Sequence, residues 1–561
     1  MHTPAFDKFA DEALTFDYTF TNFGICSASR NSFMTGRAPD KTRVWNFIND
    51  FRQGGMSDGV PGQQWVTLPE FFVKHNYSTL GHGKLYHPGH PPNYDEPRSW
   101  SQTQPFSPST NSGCPGTRFC PDGELPEDRF SDVNVTGHAL TTLAANAAAY
   151  KSSGANFALF LGLHYPHQPW FTPEWAVKPY MPIAGIAPAV HTASPKGGAP
   201  LGLNAELDGN PDLIVDQATI DAIGQADSHP PGVTGKVKWE CPWPGNNSVP
   251  IWMQKQLRAG YYSAVTHTDK LFGTVMDALD ESGVASDTFV LVTGDHGWQL
   301  GEKGEWGKHA NYELSVHVPL MIRVPWKPAS AGKHTQSLTE LLDLYRTLAS
   351  LAGLPADAIE SNVDGKDVSA LLDDPTQTLK TAAYSQYSRC PGLRNFPALP
   401  GPVGSPAGKG WNWPGGQRDA AGNIEGWYMN NCEGVPSHNI TYMGYTVRTA
   451  TFRYTEWFPW DGAQCKAIWS ATVEEADPTM RELYSHEGQH SYPLDFDSFE
   501  NVNLALEPSH ASVVATHRAL LEKRFKGTDS EAGCPPDLGP DGEVLQPTFL
   551  EDEIDVASVY L

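Results

Sequence analysis

"TFVLVTGDHGWQLGEKGEWGKH", residues 288–309, is the stretch on which the reading of the fold turns. Its first six residues are apolar or β-branched, and the run stops at Gly294, Asp295 and His296. A short apolar run bounded in this way reads as a buried strand that presents polar residues at its carboxyl end. Two further runs share the pattern. "YSTLGHGKLYH", residues 77–87, ends in Lys84 and His87, and "NFALFLGLHYPHQPW", residues 156–170, ends in His164 and His167. Helical patterns separate them: "WVTLPEFFVKHN", "HALTTLAANAAAY" and "IWMQKQLRAGYYSAVTHTDKLFGTVMDALDESG". Alternating strand and helix predicts an α/β layered domain with a parallel sheet. Ligands of such sheets bind beyond the carboxyl ends of the strands, so three polar clusters on one edge predict one shared site.

After about residue 435 the pattern changes. "YMGYTVRTATFRYTEWFPW" alternates as a pair of strands, "RELYSH" follows, and "SHASVVATHRALLEKRF" reads as a last helix. The expected organisation is therefore an α/β domain over 1–435 and a smaller α+β domain over 436–561. Residues 180–240 and 392–435 are rich in Gly, Pro, Ala and Asn with weak periodicity and read as long loops. The final "EDEIDVASVYL" reads as an acidic, solvated tail.

The 561 residues carry 39 basic and 64 acidic side chains, a formal charge of -25. That balance argues against nucleic acid or an anionic membrane as a partner, and an anionic substrate would need a local positive pocket. No apolar run reaches the ~20 residues of a membrane span, and "MHTPAFDKFADEA" lacks the basic and apolar regions of a signal peptide. Four N-x-[ST] sequons, at Asn76, Asn134, Asn246 and Asn439, nevertheless suit a glycosylated surface in the secretory pathway. The eight cysteines fit no zinc spacing, and "CPGTRFC", Cys114 to Cys120, reads as a short disulfide loop.

One cysteine stands in a different setting, in "CSASRNSFMTGR", residues 26–37. Cys26 opens a helical stretch that Gly36 and Pro39 would end. Free N–H groups and the dipole at a helix start lower a thiol's pKa and attract tetrahedral anions, and Arg30 lies one turn up on the same face. The segment alone suits either a nucleophile facing sulfate or phosphate, or a half-buried cysteine beside a surface arginine.

The same twelve residues resemble the signature of the sulfatase family, within the alkaline phosphatase superfamily. Ala28 stands where proline is commonest. "GKLYHPG", "HYPHQPW", "TGDHGWQLGEKGEWGKH", "HVPLMIRVP", "MGYTVRTATFRYTEW" and "ELYSHE" are similar, in order, to members that act on 2-sulfated iduronate, and the resemblance runs from about Thr3 to Leu504. It implies a mixed sheet flanked by helices, a formylglycine made from Cys26 by a formylglycine-generating enzyme, and Ca²⁺ held by Asp295, His296 and the modified Cys26. It also implies that Arg30 holds that residue, that Lys84, His87 and Lys308 meet the sulfate or the formylglycine, and that His167 faces the scissile ester oxygen of a sulfated sugar or polysaccharide. His164 keeps a structural reading. Trp170, Trp298 and Trp306 either pack or stack on a sugar ring.

Sulfatases carry an early central strand ending in two adjacent aspartates that complete the calcium site, and this sequence is expected to lack it. The adjacent pair it does contain, Asp373 and Asp374, falls at a helix end in "SALLDDP". Three functions are therefore open: sulfate-ester hydrolysis on a sugar, hydrolysis of a phosphodiester or phosphonate, and binding of sulfated glycans without turnover.

Overall fold

A computed structural model of the chain describes residues 1–105, 119–120, 130–168, 170, 172–202, 213–215, 235–237, 251–390, 432–433, 435–470, 477–489, 495–527 and 533–535. Most of the Cys114 to Cys120 loop, Asn246, most of the two long loop segments and the acidic tail lie outside these residues. Only the elements that build the core are numbered below.

Seven strands form the central layer. β1 is Leu14–Phe16, β2 Ser78–Gly83, β3 Gln102–Pro105, β4 Phe157–Gly162, β5 Val290–Thr293, β6 Leu320–Arg323 and β7 Lys333–Thr335. The expected single parallel sheet is instead two sheets. One is parallel, in the order β3-β2-β4. The other is mixed, in the order β5-β6-β1-β7, with β5 antiparallel to β6 and β1 parallel to β7. The apolar run over β5 is enough to place a strand but not its direction, which is set by a partner 33 residues further along the chain, Val290 pairing with Arg323.

Both sheets lie between the same two helical layers. Phe157, Leu159 and Val290 pack on one face against Leu143 and Ala147 of α3 (Ser131–Ser153) and Leu279 of α4 (Ile251–Ser282). On the other face Ala158, Phe160 and Leu291 pack towards Phe71 and Phe72 of α2 (Leu68–Lys74) and Leu344 and Leu348 of α5 (Leu344–Leu351). The two-residue period of a strand sends neighbours to opposite cores, as these sets show. Among the described residues no strand pairs with the outer edge of β4 or of β5, and every residue of both is half-buried. The Asp373 and Asp374 pair lies elsewhere, Asp373 ion-paired to Lys327 at 2.5 Å and Asp374 accepting from Thr376.

The last sheet is antiparallel: β8 (Ala383–Arg389), β9 (Tyr442–Arg448) and β10 (Phe452–Asp461) in order, with β11 (Arg481–Ser485) on the far edge of β10. β8 therefore joins this sheet from within the segment before 435. Helix α6 (Ala511–Phe525) covers one face, burying Leu521 and stacking Phe525 on Tyr445 with ring centroids 4.1 Å apart. Disulfides Cys390–Cys432 and Cys465–Cys534 tie down its margins. Closing loops of 42 and 69 residues is worth about 4 kcal/mol each on the chain-entropy account.

A buried charge network joins this sheet to the central domain. Arg448 and Arg453 stand directly opposite each other in the β9–β10 ladder, a destabilising arrangement for like charges. Glu313 offsets it by accepting from both, with Arg448 Nε at 3.0 Å, and Glu500 pairs with Arg453 at 2.7 Å and His486 at 3.2 Å. All five side chains are almost wholly buried. Glu313, His486 and Glu500 could converge on a cation by geometry, but two guanidinium groups already neutralise the carboxylates.

Candidate active site

Helix α1 (Cys26–Thr35) begins where the sequence predicts, and Gly36 closes it in the left-handed region at φ 65°, its N–H donating back to Phe33 and Ser32. A Cβ at Gly36 would meet Val363 at 2.8 Å, so both the turn and the packing call for glycine there. The result fixes Cys26 at the first turn, buried, where the carboxyl ends of β2, β4 and β5 converge.

His296 Nε2 lies 3.1 Å from the Cys26 sulfur, Lys308 Nζ 3.5 Å and Lys84 Nζ 3.6 Å. Burial pushes the thiol up, yet Lys308, Lys84 and His296 outweigh it and hold the thiol well below its ordinary value. Arg30 Nε donates to Asp295 Oδ2 at 2.8 Å, and its other donors reach the backbone carbonyls of Lys84 and Leu85. Ser29 adds a bond to the Asp295 carbonyl at 2.5 Å. Although burial raises the Asp295 carboxyl, Arg30 and His296 keep it below the usual range. Helix α1 thus locks the turn after β5 to the turn after β2.

His167 stands across from Cys26, its Nε2 3.4 Å from Lys308 Nζ and its Nδ1 2.6 Å from the Gln168 carbonyl. The carbonyl partner assigns the proton to Nδ1 and leaves the Nε2 lone pair towards the site. Burial first, then Lys84 and Lys308, bring this imidazole down to about 4. His87 is set further back: its ring stacks on Phe47 at 4.4 Å, and burial and Lys84 bring it to about 3. His164 holds the Gln168 carbonyl at 3.1 Å and packs on His167, in keeping with a structural role. Trp170 and Trp306 are buried in packing. Trp298 is half-buried, 6.3 Å from the His167 ring, with Lys308 Nζ 5.7 Å above it, and so forms a wall of the site.

Two positioning groups escaped the sequence reading. The buried Asp132, at the start of α3, accepts from the backbone N–H groups of His164 and Tyr165 at 2.8 and 2.9 Å and so holds the turn that carries His167. Burial pushes its carboxyl up to about 6 against those bonds and Lys84. Its one local signal is an acid in a first helical turn. Tyr94 grips the exit of β2 through the Tyr86 N–H at 3.2 Å and the Gly83 carbonyl, with no local signal at all.

Cys26, Asp295 and His296 could together hold a metal, their ligand atoms lying within 4.8 Å of one another. Ca²⁺ takes six to eight oxygen ligands. Among the described residues this cluster offers one carboxylate, already bonded to Arg30, with one imidazole and one sulfur beside two ammonium groups. By itself this donor set does not fit Ca²⁺.

The chain is similar to several known proteins. The human (Homo sapiens) iduronate 2-sulfatase is 29% identical over 514 residues, covering 82% of this chain and 81% of that protein. The mouse (Mus musculus) enzyme is 28% identical over 578 residues, covering 92% and 89%. Among solved structures, the phosphonate monoester hydrolase of Silicibacter pomeroyi superposes with a TM-score of 0.59 at 19% identity, covering 94% of this chain and 91% of its own. A protein solved in complex with its substrate D-glucosamine-2-N,6-O-disulfate gives 0.61 at 17%, covering 95% and 94%. These structures share the α/β fold. The profile of the Sulfatase family matches residues 1–354, and with the signature cysteine at the head of α1 facing two lysines, the chain belongs to the sulfatase family.

Proposed function

We propose that the protein hydrolyses sulfate esters on a sugar unit of a sulfated polysaccharide, with a 2-O-sulfated uronic acid as its first candidate. The observation that carries this reading is the pair of ammonium groups, Lys84 and Lys308, placed at 3.6 and 3.5 Å on the thiol at a helix start. The site is strongly positive inside a chain of formal charge -25, as an anionic ester requires. The similarity to iduronate 2-sulfatases over most of the chain supports the choice of sugar.

Oxidised to formylglycine and hydrated, residue 26 would supply one hydroxyl that attacks sulfur and a second that, on losing its proton, re-forms the carbonyl and expels sulfate together with the first oxygen. Lys84 and Lys308 hold the sulfuryl oxygens and neutralise charge as it shifts onto them. Arg30 keeps Asp295 and the two strand turns in place. His167 moves the proton of the departing sugar oxygen at Nε2, since its Nδ1 is committed to the Gln168 carbonyl. The negative charge of a bound sulfate ester opposes the two lysines and restores basicity to that imidazole. Work in the secretory pathway, after modification by a formylglycine-generating enzyme, fits the two disulfides. No helix among the described residues is long and apolar enough to cross a membrane.

The test is co-expression with a formylglycine-generating enzyme, then release assays on a 2-sulfated uronide, an aryl sulfate, a phosphodiester and a phosphonate, each with and without added Ca²⁺. Preferential sulfate release from the uronide is expected. Faster turnover of the phosphorus esters would reassign the reaction, and heparin affinity with no release would reassign the protein as a binder. A second expectation concerns Asp132→Ala. It leaves two buried N–H groups without an acceptor and frees the His167 turn, costing about 2 kcal/mol of stability and about 10- to 100-fold in kcat with little change in KM. Denaturation and steady-state kinetics would check this, and a kcat equal to wild type would remove Asp132 from the positioning role.

A further inference from the structure

Lys308 and its neighbour His309 send their side chains to different partners. Lys308 Nζ reaches the Cys26 sulfur, whereas His309 Nε2 lies 2.6 Å from a carboxylate oxygen of Glu433. A carboxylate accepts, so that nitrogen carries the proton and the bond is charge-assisted. The imidazole is buried and Glu433 half-buried. The backbone beside them is held as well: the His309 carbonyl accepts from the Arg389 guanidinium at 2.5 Å, and a Cβ on Gly24, two residues before Cys26, would meet the Ala310 carbonyl at 3.0 Å. The turn from which Lys308 departs is therefore tied at its ring, at its carbonyl and against the chain leading into α1.

Arg389 and Glu433 are far apart in sequence but share an anchor. Arg389, the last residue of β8, precedes Cys390, Glu433 follows Cys432, and the disulfide joins these two buried cysteines across a separation of 42 residues. Glu433 has a second tie. Its backbone carbonyl accepts from the Phe47 N–H at 2.7 Å, and the Phe47 ring stacks on His87. One residue thus meets the supports of two groups at the candidate site.

An ion pair between solvated side chains would be worth little. Here the ring is buried, and it belongs to the residue next to an ammonium whose placement matters, since an error of about 1 Å at a reacting centre costs on the order of 10²-fold.

We propose that Glu433, set in place by the Cys390–Cys432 disulfide, is a positioning residue that orients Lys308 through His309. The grip of Lys308 on a sulfuryl group rests on the proposed sulfatase reading, whereas the tie from Glu433 to the Lys308 turn rests on the distances alone.

The test is a double-mutant cycle on the full chain carrying formylglycine, with Glu433→Ala, Lys308→Ala and both together, read by binding of inorganic sulfate and by kcat/KM on an aryl sulfate. Glu433→Ala is expected to weaken sulfate binding and lower kcat/KM about tenfold, and to have no further effect once residue 308 is alanine. Glu433→Gln, which keeps an oxygen for the Nε2 proton, should recover most of the loss. Replacing Cys390 and Cys432 together by alanine should act as Glu433→Ala does, with a loss that is present beside Lys308 and absent without it. No loss from Glu433→Ala, an equal loss in both Lys308 backgrounds, or wild-type sulfate affinity in the disulfide-free chain would overturn the proposal. Coupled sulfate binding without ester hydrolysis would retain the positioning role and reject the sulfatase reading, and hydrolysis without coupling would do the reverse.

Discussion

Replacing Cys26 by serine is expected to lower sulfate release by about 10⁴-fold or more while leaving the protein folded. A serine has one hydroxyl, so even if it attacked sulfur the sulfated side chain would have no second hydroxyl whose deprotonation could expel the sulfate. The surroundings of residue 26 do not depend on the sulfur. His296 is held by the Gly297 carbonyl at 2.9 Å, and Arg30 by Asp295, so Lys84 and Lys308 should still bind sulfate as an inhibitor. The measurement is release from an aryl sulfate alongside inorganic sulfate binding for both forms. Retained binding with lost turnover assigns the nucleophile to residue 26, and an unchanged rate would sink the mechanism.

The largest expected effect on stability follows Glu313→Ala. Arg448 and Arg453 would then face each other across the ladder with no shared acceptor between them, in a region where Glu313, Arg448 and Arg453 are at most 2% exposed. Breaking a buried ionic cluster by removing one partner costs about 3–5 kcal/mol. The sign of its pH dependence follows from the same contacts. Burial raises the Glu313 carboxyl, but Arg448, Arg453 and His486 outweigh it and hold it well below its ordinary 4.5. A carboxyl depressed in the folded state stabilises above its unfolded value and loses that contribution as pH falls through the folded one. Wild type and variant should therefore differ most at neutral pH and converge in strong acid, which denaturant titrations at several pH values would show. Equal stability at pH 7 would contradict the network's role.

Local signals carried much of the geometry of the candidate site. The start of α1, its end at Gly36, and the delivery of Lys84, His167 and Asp295 from three strand ends are written in contiguous residues, because capping and strand exit are local events. What stayed illegible was set by distant partners. The antiparallel pairing of β5 with β6 and the entry of β8 into the last sheet depend on which edge a strand meets, which an apolar run does not encode. In "TVRTATFRYTE" nothing within the segment reveals Glu313 or Glu500 as the partners of its two arginines. Asp132 likewise looks like an ordinary first-turn acid until the turn of His164 and Tyr165 is folded onto it.

The split of the central layer has a further consequence. Lys84 and His167 leave the sheet built from β2 and β4, whereas Asp295 and His296 leave the sheet that begins with β5, so the candidate site straddles the boundary between the two sheets. Across that boundary, among the described residues, no ladder of backbone bonds fixes the spacing, and side-chain ties such as Arg30 to the Lys84 and Leu85 carbonyls are what bridge it. Arg30 is therefore a brace between two sheets as well as the partner of Asp295.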